Sequence, residues 1–262
     1  MNELTTWLVP ASTLMVALLA WGTLAFGARR AAIEPAARRR FVLASGAVIL
    51  AWLGAAAALG ASGFFSASSG IVIPTVPFAL VMPVIAGIAA FRRSSVLDAV
   101  LNAVPLPWLA GMQLYRVVGG VFLALYVAGE LPGEFALPAG AGDVAVGLAA
   151  PAVAWLFFAR AQGSGLAMLG WNIIGLLDLG VAVATGFLTS PGPLQVLAHD
   201  APNNLITAWP LVLVPAFAVP LSVLLHLAAL RRLKSEFGSV AKEEPAGDSR
   251  RDQGWISRLI TT

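Results

Sequence analysis

Long apolar blocks alternate with short polar connections along the whole chain. About 20 apolar residues are needed for a helix to cross the hydrocarbon core of a bilayer, because each residue adds about 1.5 Å. Seven blocks reach this length, and we predict spans at about 7–27, 41–65, 71–91, 109–129, 139–158, 166–188 and 205–230. The pattern therefore predicts an all-α membrane helix bundle, with residues 1–234 forming one seven-helix transmembrane domain.

Two segments outside these blocks have patterns of their own. Between residues 94 and 104, apolar side chains recur at helical spacing, which predicts a short helix lying at the cytoplasmic interface. Residues 235–262 are polar and mixed in charge, which predicts a cytoplasmic and mostly disordered tail. Its last stretch, around Trp255 to Ile260, is either a small interfacial helix or a loose end.

Composition supports a membrane protein. Apolar residues make up 59% of the chain and charged residues 11%, whereas soluble domains carry about a quarter charged residues. The net charge of +3 comes from bases that cluster at the ends of the apolar blocks and form no phosphate-binding stripe. We therefore expect the lipid bilayer as partner and no nucleic acid. The absence of cysteine excludes disulfides and thiol catalysis.

The distribution of basic residues predicts the orientation. Except for Arg116, every Lys and Arg lies after the first, third, fifth or seventh span. Because basic residues are retained on the cytoplasmic side, we predict the N-terminus outside and the C-terminus in the cytoplasm. The Ala- and Arg-rich composition is typical of a bacterial protein, which would place the chain in the inner membrane as a multi-pass protein.

Spans one to three share local patterns with spans five to seven. The matching pairs are Ala20-Trp21 with Ala154-Trp155, Gly63-Phe64-Phe65 with Gly186-Phe187-Leu188, and Val76-Pro77 with Val214-Pro215. These pairs indicate a parallel repeat joined by the fourth span, although apolar helices also match by chance. The resulting 3+1+3 plan is similar to that of the SWEET sugar transporters, which are built from parallel repeats. The resemblance is one of topology, carries no residue roles, and lacks the proline–glutamine signature of that group.

Two charged residues fall inside predicted spans, where an ionisable side chain usually has a partner and a function. Asp178 lies near the middle of the sixth span, and Arg116 lies at a similar depth in the fourth. We predict that they form a buried pair, with Gln113 and Asn172 nearby, as a site for a small molecule or ion. Two other interpretations are a purely structural lock, and an Arg116 that extends to the headgroups and leaves Asp178 protonated.

Further candidates lie toward the outer side. Asp143 is predicted about one turn below the outer surface, at the start of the fifth span. The segment before the seventh span is long enough to form a lid or part of a ligand site, or a passive connector. Its candidate residues are His199, Asp200, Asn203 and Asn204.

The sequence contains no motif of known catalytic chemistry. We find no nucleophile elbow, zinc-protease helix, phosphate loop or dinucleotide fingerprint. His199 and His226 are predicted on opposite sides of the membrane, which excludes a shared metal or haem. We therefore predict no catalytic residue, metal or cofactor, and favour a non-enzyme over an enzyme.

The function that these features favour is a small-solute or proton-coupled transporter with an Asp/Arg site at the midplane. A seven-helix sensor or binding protein and an accessory subunit of a membrane complex are alternatives, and a lipid-modifying enzyme is less favoured. Whether a cytoplasmic protein partner exists is left open.

Overall fold

The structure, a computed structural model, describes residues 3–66 and 75–243. Within these ranges the chain is all helical, with nine α-helices: α1 Glu3–Arg30, α2 Pro35–Ala61, α3 Thr75–Arg93, α4 Ser95–Ala103, α5 Leu106–Gly111, α6 Gly120–Val127, α7 Gly133–Phe158, α8 Ser164–Thr189 and α9 Val219–Glu243. A 3-10 segment, Met112–Gly119, joins α5 to α6, and a π-helical segment, Val214–Ala218, precedes α9.

Among the described residues, seven helical stretches are long and apolar enough to cross a membrane. They are Thr5–Arg30, Pro35–Ala61, Thr75–Arg93, Leu106–Val127, Gly133–Phe158, Ser164–Thr189 and Val214–Glu236. The prediction of an all-helical chain with seven such helices is therefore confirmed. We call the fourth stretch span 4 and the last one span 7.

Several helix ends differ from the predicted ones. α2 ends at Ala61, four residues early, because Gly63 adopts a left-handed conformation that closes the helix. α7 begins at Gly133, six residues before the predicted start, since Pro132 supplies its N-cap and Pro138 is accommodated inside the helix. The region from 205 begins with a 3-10 turn, and span 7 is helical only from Val214.

The C-terminal region also differs from the prediction. α9 continues to Glu243, so residues 235–243 are helical although a disordered tail was predicted from 235. The predicted interfacial segment around residues 255–260 lies outside the described residues, as do the first residues of the predicted third span, 71–74. The short helix predicted near residue 94 is present as α4, whose N-terminus is capped by the Ser94 side chain.

The outer surface of the bundle is strongly apolar. Large side chains on several helices are more than half exposed, among them Val48, Phe78, Leu148, Ile174 and Leu177. A soluble protein of this size would not leave so many large apolar side chains in contact with water. This surface fits a multi-pass membrane protein whose helices face lipid.

Small residues allow α7 to approach its neighbours closely. α7 packs most extensively against α8 and the 3-10 segment of span 4. A Cβ at Gly147 would lie 2.8 Å from the backbone nitrogen of Val117, and a Cβ at Gly142 would collide with the Asp178 carboxylate. Since glycine has no Cβ, these positions let the three helices meet at the depth where charged residues lie.

One end of the bundle gathers basic residues. Arg231 of α9 forms a 2.6 Å ion pair with Asp98 of α4, and the rings of Phe26 and Trp108 stack 4.3 Å apart. α1 and α9 both pack against α4, and we call this the basic end. The opposite end, which we call the loop end, carries the connection 190–213 between α8 and span 7.

Span 7 has an irregular backbone at its start. Pro220 has no N–H, so it cannot donate to the carbonyl of Ala216 four residues earlier. The Trp52 indole donates to that carbonyl at 3.0 Å, and the Tyr115 hydroxyl is 2.8 Å from the carbonyl oxygen of Ala218. Side chains of neighbouring helices thus satisfy backbone groups that a regular helix would have paired itself.

Candidate functional site

Arg116 lies at the centre of the bundle between two aspartates. Its Nε donates to Asp143 Oδ1 at 2.7 Å, and its Nη2 donates to Asp178 Oδ2. The Arg116 side chain is 2% exposed, and the two aspartate side chains are 14% and 12% exposed. The predicted contact between Arg116 and Asp178 is therefore present, and Asp143 joins it. We call these three residues the charged cluster.

The charged cluster contains more negative than positive charges. Two ionised carboxylates and one guanidinium give a formal charge of −1. The remaining contacts of Arg116 are with uncharged groups: Nη1 lies 3.4 Å from the Gly175 carbonyl oxygen and 3.3 Å from His226 Nε2. A buried net charge is costly away from water. One proton or one monovalent cation would neutralise the cluster.

His226 links Arg116 to Asn172. Arginine can only donate, so His226 Nε2 must accept from Nη1 of Arg116. Its Nδ1 therefore carries the hydrogen and donates to Asn172 Oδ1 at 2.9 Å, while Asn172 Nδ2 donates to the Met168 carbonyl at 2.8 Å. His226 and Asn172 are fully buried. The hydrogen-bond partners thus assign a neutral His226 with its hydrogen on Nδ1.

A second polar network ties span 4 to span 7. Gln113 Nε2 donates to the Ser222 carbonyl at 3.1 Å, and Ser222 Oγ donates to Gln113 Oε1 at 2.9 Å. The Tyr115 hydroxyl lies 2.6 Å from Ser222 Oγ and is also within hydrogen-bond distance of Ala218. Gln113 and Ser222 are 1% exposed. These bonds hold the 3-10 segment that carries Arg116 against span 7.

A cavity of about 670 Å³ leads from the loop end to the charged cluster. Its walls come from α3, α6, α7, α8, span 7 and the connection 190–194, and Asp143 lies in its lining. A second, smaller cavity of about 40 Å³ shares Asp143, Phe122 and Leu179 with the first and is also lined by Arg116 and Tyr115. The small cavity has room for about two water molecules beside the guanidinium.

The structure places Asp143 farther from the start of its helix than the sequence predicted. Asp143 lies ten residues after Gly133, the first residue of α7, which corresponds to about 15 Å along the helix. It had been predicted one turn below the surface because the helix was expected to start near residue 139. Asp143 therefore lies well inside α7, where it is a direct partner of Arg116.

Three partners of the site were missed from the sequence: Tyr115, Ser222 and His226. His226 had been used only to argue against a shared metal site. Ser222 and His226 are four residues apart, a spacing that puts both on one face of a helix. Two polar residues at this spacing in an apolar span were a signal that could have placed them toward the interior.

The four loop candidates do not join the site. Asn203 is buried, accepts from the Ile206 backbone N–H at 3.3 Å, and its own N–H donates to the Thr189 carbonyl at 2.9 Å. It fixes the connection to the end of α8. His199, Asp200 and Asn204 are exposed and are not among the residues that line the cavity.

The described residues contain no group of three or more His, Cys, Asp and Glu that could hold a metal ion. With two carboxylates held by one guanidinium, the arrangement can bind and release a proton or a small cation.

Residues 73–234, more than half of the chain, match the family model described as Domain of unknown function (DUF8737). The matched region includes the charged cluster, Asn172 and His226, whereas α1 and α2 lie outside it. No curated protein and no solved structure is similar to the chain.

Proposed function

The chain belongs to the DUF8737 family, whose description assigns no activity, and from the site itself we propose that it is a proton-coupled transporter of small solutes. The observation that supports this proposal is the charged cluster at the inner end of a cavity. Two carboxylates share one buried guanidinium, so the cluster carries one uncompensated negative charge. Uptake of one proton removes this charge, which gives the site two states of different electrostatic cost.

Coupling follows from the position of the cavity. Because Asp143 lies in the cavity lining, a bound solute contacts the same carboxylate that can take up the proton. Protonation of Asp143 weakens its ion pair with Arg116 and leaves Arg116 with Asp178 alone. Each binding event thereby changes the free energy of the other, which is the requirement for coupling.

Span 7 supplies an element able to move. Its π-helical segment and Pro220 interrupt the regular hydrogen-bond ladder at the depth of the cavity. The 3-10 segment of span 4 carries Arg116 directly opposite. Rearrangement of these two segments would open the charged cluster to the other side of the membrane.

The wider setting belongs to the same proposal. We place the chain in the inner membrane of a bacterium, with the N-terminus outside and the C-terminus in the cytoplasm, because the basic residues gather at one end. The loop end and its cavity then face outward. A parallel repeat of spans one to three and five to seven, which the sequence patterns indicate, would fit the 3+1+3 plan of transporters.

Proton uptake can be measured without knowing the solute. Infrared difference spectra of the purified full chain, between acidic and alkaline buffer, contain the bands of all protonated Asp and Glu side chains, and single substitutions identify the band of the charged cluster. We expect a carboxyl band that is lost in Asp143→Asn or Asp178→Asn and kept in Asp98→Asn, an acid at the basic end. A spectrum unchanged in both cluster variants would overturn the proton site.

Transport is tested in liposomes that contain the protein and the pH-sensitive dye pyranine. Pools of small solutes are added outside, and we expect at least one pool to change the internal pH with the wild type and not with the Asp143→Asn/Asp178→Asn variant. If solutes bind but no pool moves protons, the protein is a sensor or binding protein and the transport proposal is wrong.

A further inference from the structure

We propose that the cavity binds an amphipathic monocation, with an apolar body and a protonated amine that contacts Asp143. This inference names the substrate class of the proposed transporter and so rests on the proposed function. The volume of about 670 Å³ lies within the range of sites for drug-sized molecules, which is about 300–1,000 Å³.

The lining determines what the body of the ligand must be. Most of the cavity lining is formed by aromatic and aliphatic side chains, including Phe122, Phe135, Leu179, Phe187 and Val219. A sugar or another polyhydroxylated solute would lose its hydrogen bonds to water against these walls. An apolar body instead gains free energy when it leaves water.

The polar groups of the lining are divided between the two ends of the cavity. Hydroxyl groups of Ser66, Thr75, Ser190 and Thr207 lie at the loop end. Among the described residues that line the cavity, Asp143 is the only ionisable one. A ligand with its polar group pointing inward therefore meets one carboxylate at the inner end.

The net charge of the charged cluster determines which charge the polar group of the ligand should carry. The charged cluster carries −1, and its guanidinium already contacts both carboxylates. An anionic ligand would add a second uncompensated charge, whereas a monocation brings the sum to zero. Arg116 lines the small cavity beyond Asp143 and is absent from the described lining of the large one. The carboxylate thus faces the ligand and the guanidinium supports it from behind.

Three probes with one skeleton test this charge preference: 4-phenylbutylamine, 4-phenylbutan-1-ol and 4-phenylbutanoate. Calorimetric titration of the purified full chain in detergent, corrected with empty micelles, gives their affinities. We expect the amine to bind on the order of tenfold more tightly than the alcohol, the gain of a charged hydrogen bond, and the acid to bind weakest. Equal binding of all three, tightest binding of the acid, or no binding at all would overturn the inference.

Two variants test whether Asp143 causes the preference for the amine. Asp143→Asn keeps the Arg116–Asp178 pair, and we expect amine affinity to fall to that of the alcohol while alcohol affinity stays unchanged. Asp200→Asn removes one exposed negative charge from the connection at the loop end, and we expect it to keep the preference. If Asp143→Asn keeps the amine preference, the inference is wrong.

A third variant tests the location of the apolar body. Ala182 lines the cavity, and Ala182→Phe should weaken binding of all three probes by a similar factor. Unchanged binding in Ala182→Phe would place the probes elsewhere and also overturn the inference.

The infrared experiment separates this inference from the proposed function. If the protein takes up the proton but does not prefer the amine, only the proposed substrate class is wrong. If the protein prefers the amine but neither Asp143 nor Asp178 takes up a proton, only the proposed coupling mechanism is wrong.

Discussion

Arg116 is the residue on which the charged cluster depends, because it holds two largely buried carboxylates at once. Arg116→Met would leave Asp143 and Asp178 as uncompensated charges. Removing one partner of a buried ion pair costs about 3–5 kcal/mol, and we expect a loss of this size in the free energy of unfolding, measured by denaturant titration in detergent.

The control for this prediction removes all three charges. In Arg116→Met/Asp143→Asn/Asp178→Asn no buried charge remains, so most of the lost stability should return. If Arg116→Met alone is as stable as the wild type, the carboxylates are not held by Arg116 and the geometry of the cluster is wrong.

His226 gives a second prediction at the scale of single atoms. Its two neighbours require the hydrogen on Nδ1, because Arg116 donates to Nε2 and Asn172 accepts from Nδ1. Since the chain has two histidines, ¹⁵N spectra of histidine-labelled protein can be assigned with a His199→Asn variant. We expect the Nδ1–H form for His226 from neutral to alkaline pH, and exchange between forms for the exposed His199. A dominant Nε2–H form of His226 would contradict the hydrogen-bond assignment.

The sequence predicted part of this site. Arg116 and Asp178 were paired correctly because spans of the same direction can be compared by residue depth alone, at about 1.5 Å per residue. The predicted position of Asp143 in its helix was wrong because the predicted start of α7 was six residues too late. Six residues correspond to about 9 Å along a helix. The side-chain hydrogen bonds of Tyr115 and Ser222 depend on how two spans are rotated, which the apolar pattern of one span does not fix.

At the scale of elements, α7 approaches α8 through Gly142. A Cβ there would collide with the Asp178 carboxylate, which Arg116 holds in place. Gly142→Ala must therefore displace Asp178 from Arg116 or push the helices apart, and we expect a stability loss of about 1–3 kcal/mol together with loss of the infrared carboxyl band.

Gly180 provides the matched control on α8, because a Cβ added there meets nothing within 4 Å. Gly180→Ala should be neutral or stabilising by up to about 1 kcal/mol, since alanine is the better helix former. Equal effects of the two substitutions would show that the close approach at Gly142 has no special role.

The hydrogen bond from Trp52 to Ala216 can be tested with a double-mutant cycle. We expect Trp52→Phe to cost about 1–3 kcal/mol, because it leaves a buried carbonyl without its donor. Pro220→Ala restores the missing N–H, so in that background the same substitution should cost less. An identical cost in both backgrounds would show that Trp52 does not compensate for Pro220.

The seven helices were predictable because crossing a membrane requires long apolar stretches, and the chain has seven of them. The 3-10 and π-helical segments were not predicted. Their hydrogen-bond registers depend on donors from other helices, such as Trp52 and Tyr115. Proline residues at 215 and 220 are typical of an irregular helix, but they do not determine which carbonyl is paired by which neighbour.

At the scale of the whole molecule, orientation determines which side of the membrane the cavity serves. The chain has no cysteine, so a single introduced cysteine can be labelled without background. Val196 is exposed in the connection at the loop end, and Ala32 is exposed between α1 and α2 at the basic end. We therefore choose the single substitutions Val196→Cys and Ala32→Cys. Neither substitution removes a charge, so the distribution that sets the orientation is unchanged.

With a membrane-impermeant maleimide, we expect Val196→Cys to react in intact cells and Ala32→Cys to react only after permeabilisation. This result would place the cavity on the outer side, where a proton and an amphipathic cation compete for Asp143 because either one neutralises the charged cluster. The reverse labelling would turn the cavity toward the cytoplasm. The positive-inside prediction would then be wrong, and the cavity would bind solutes from inside the cell.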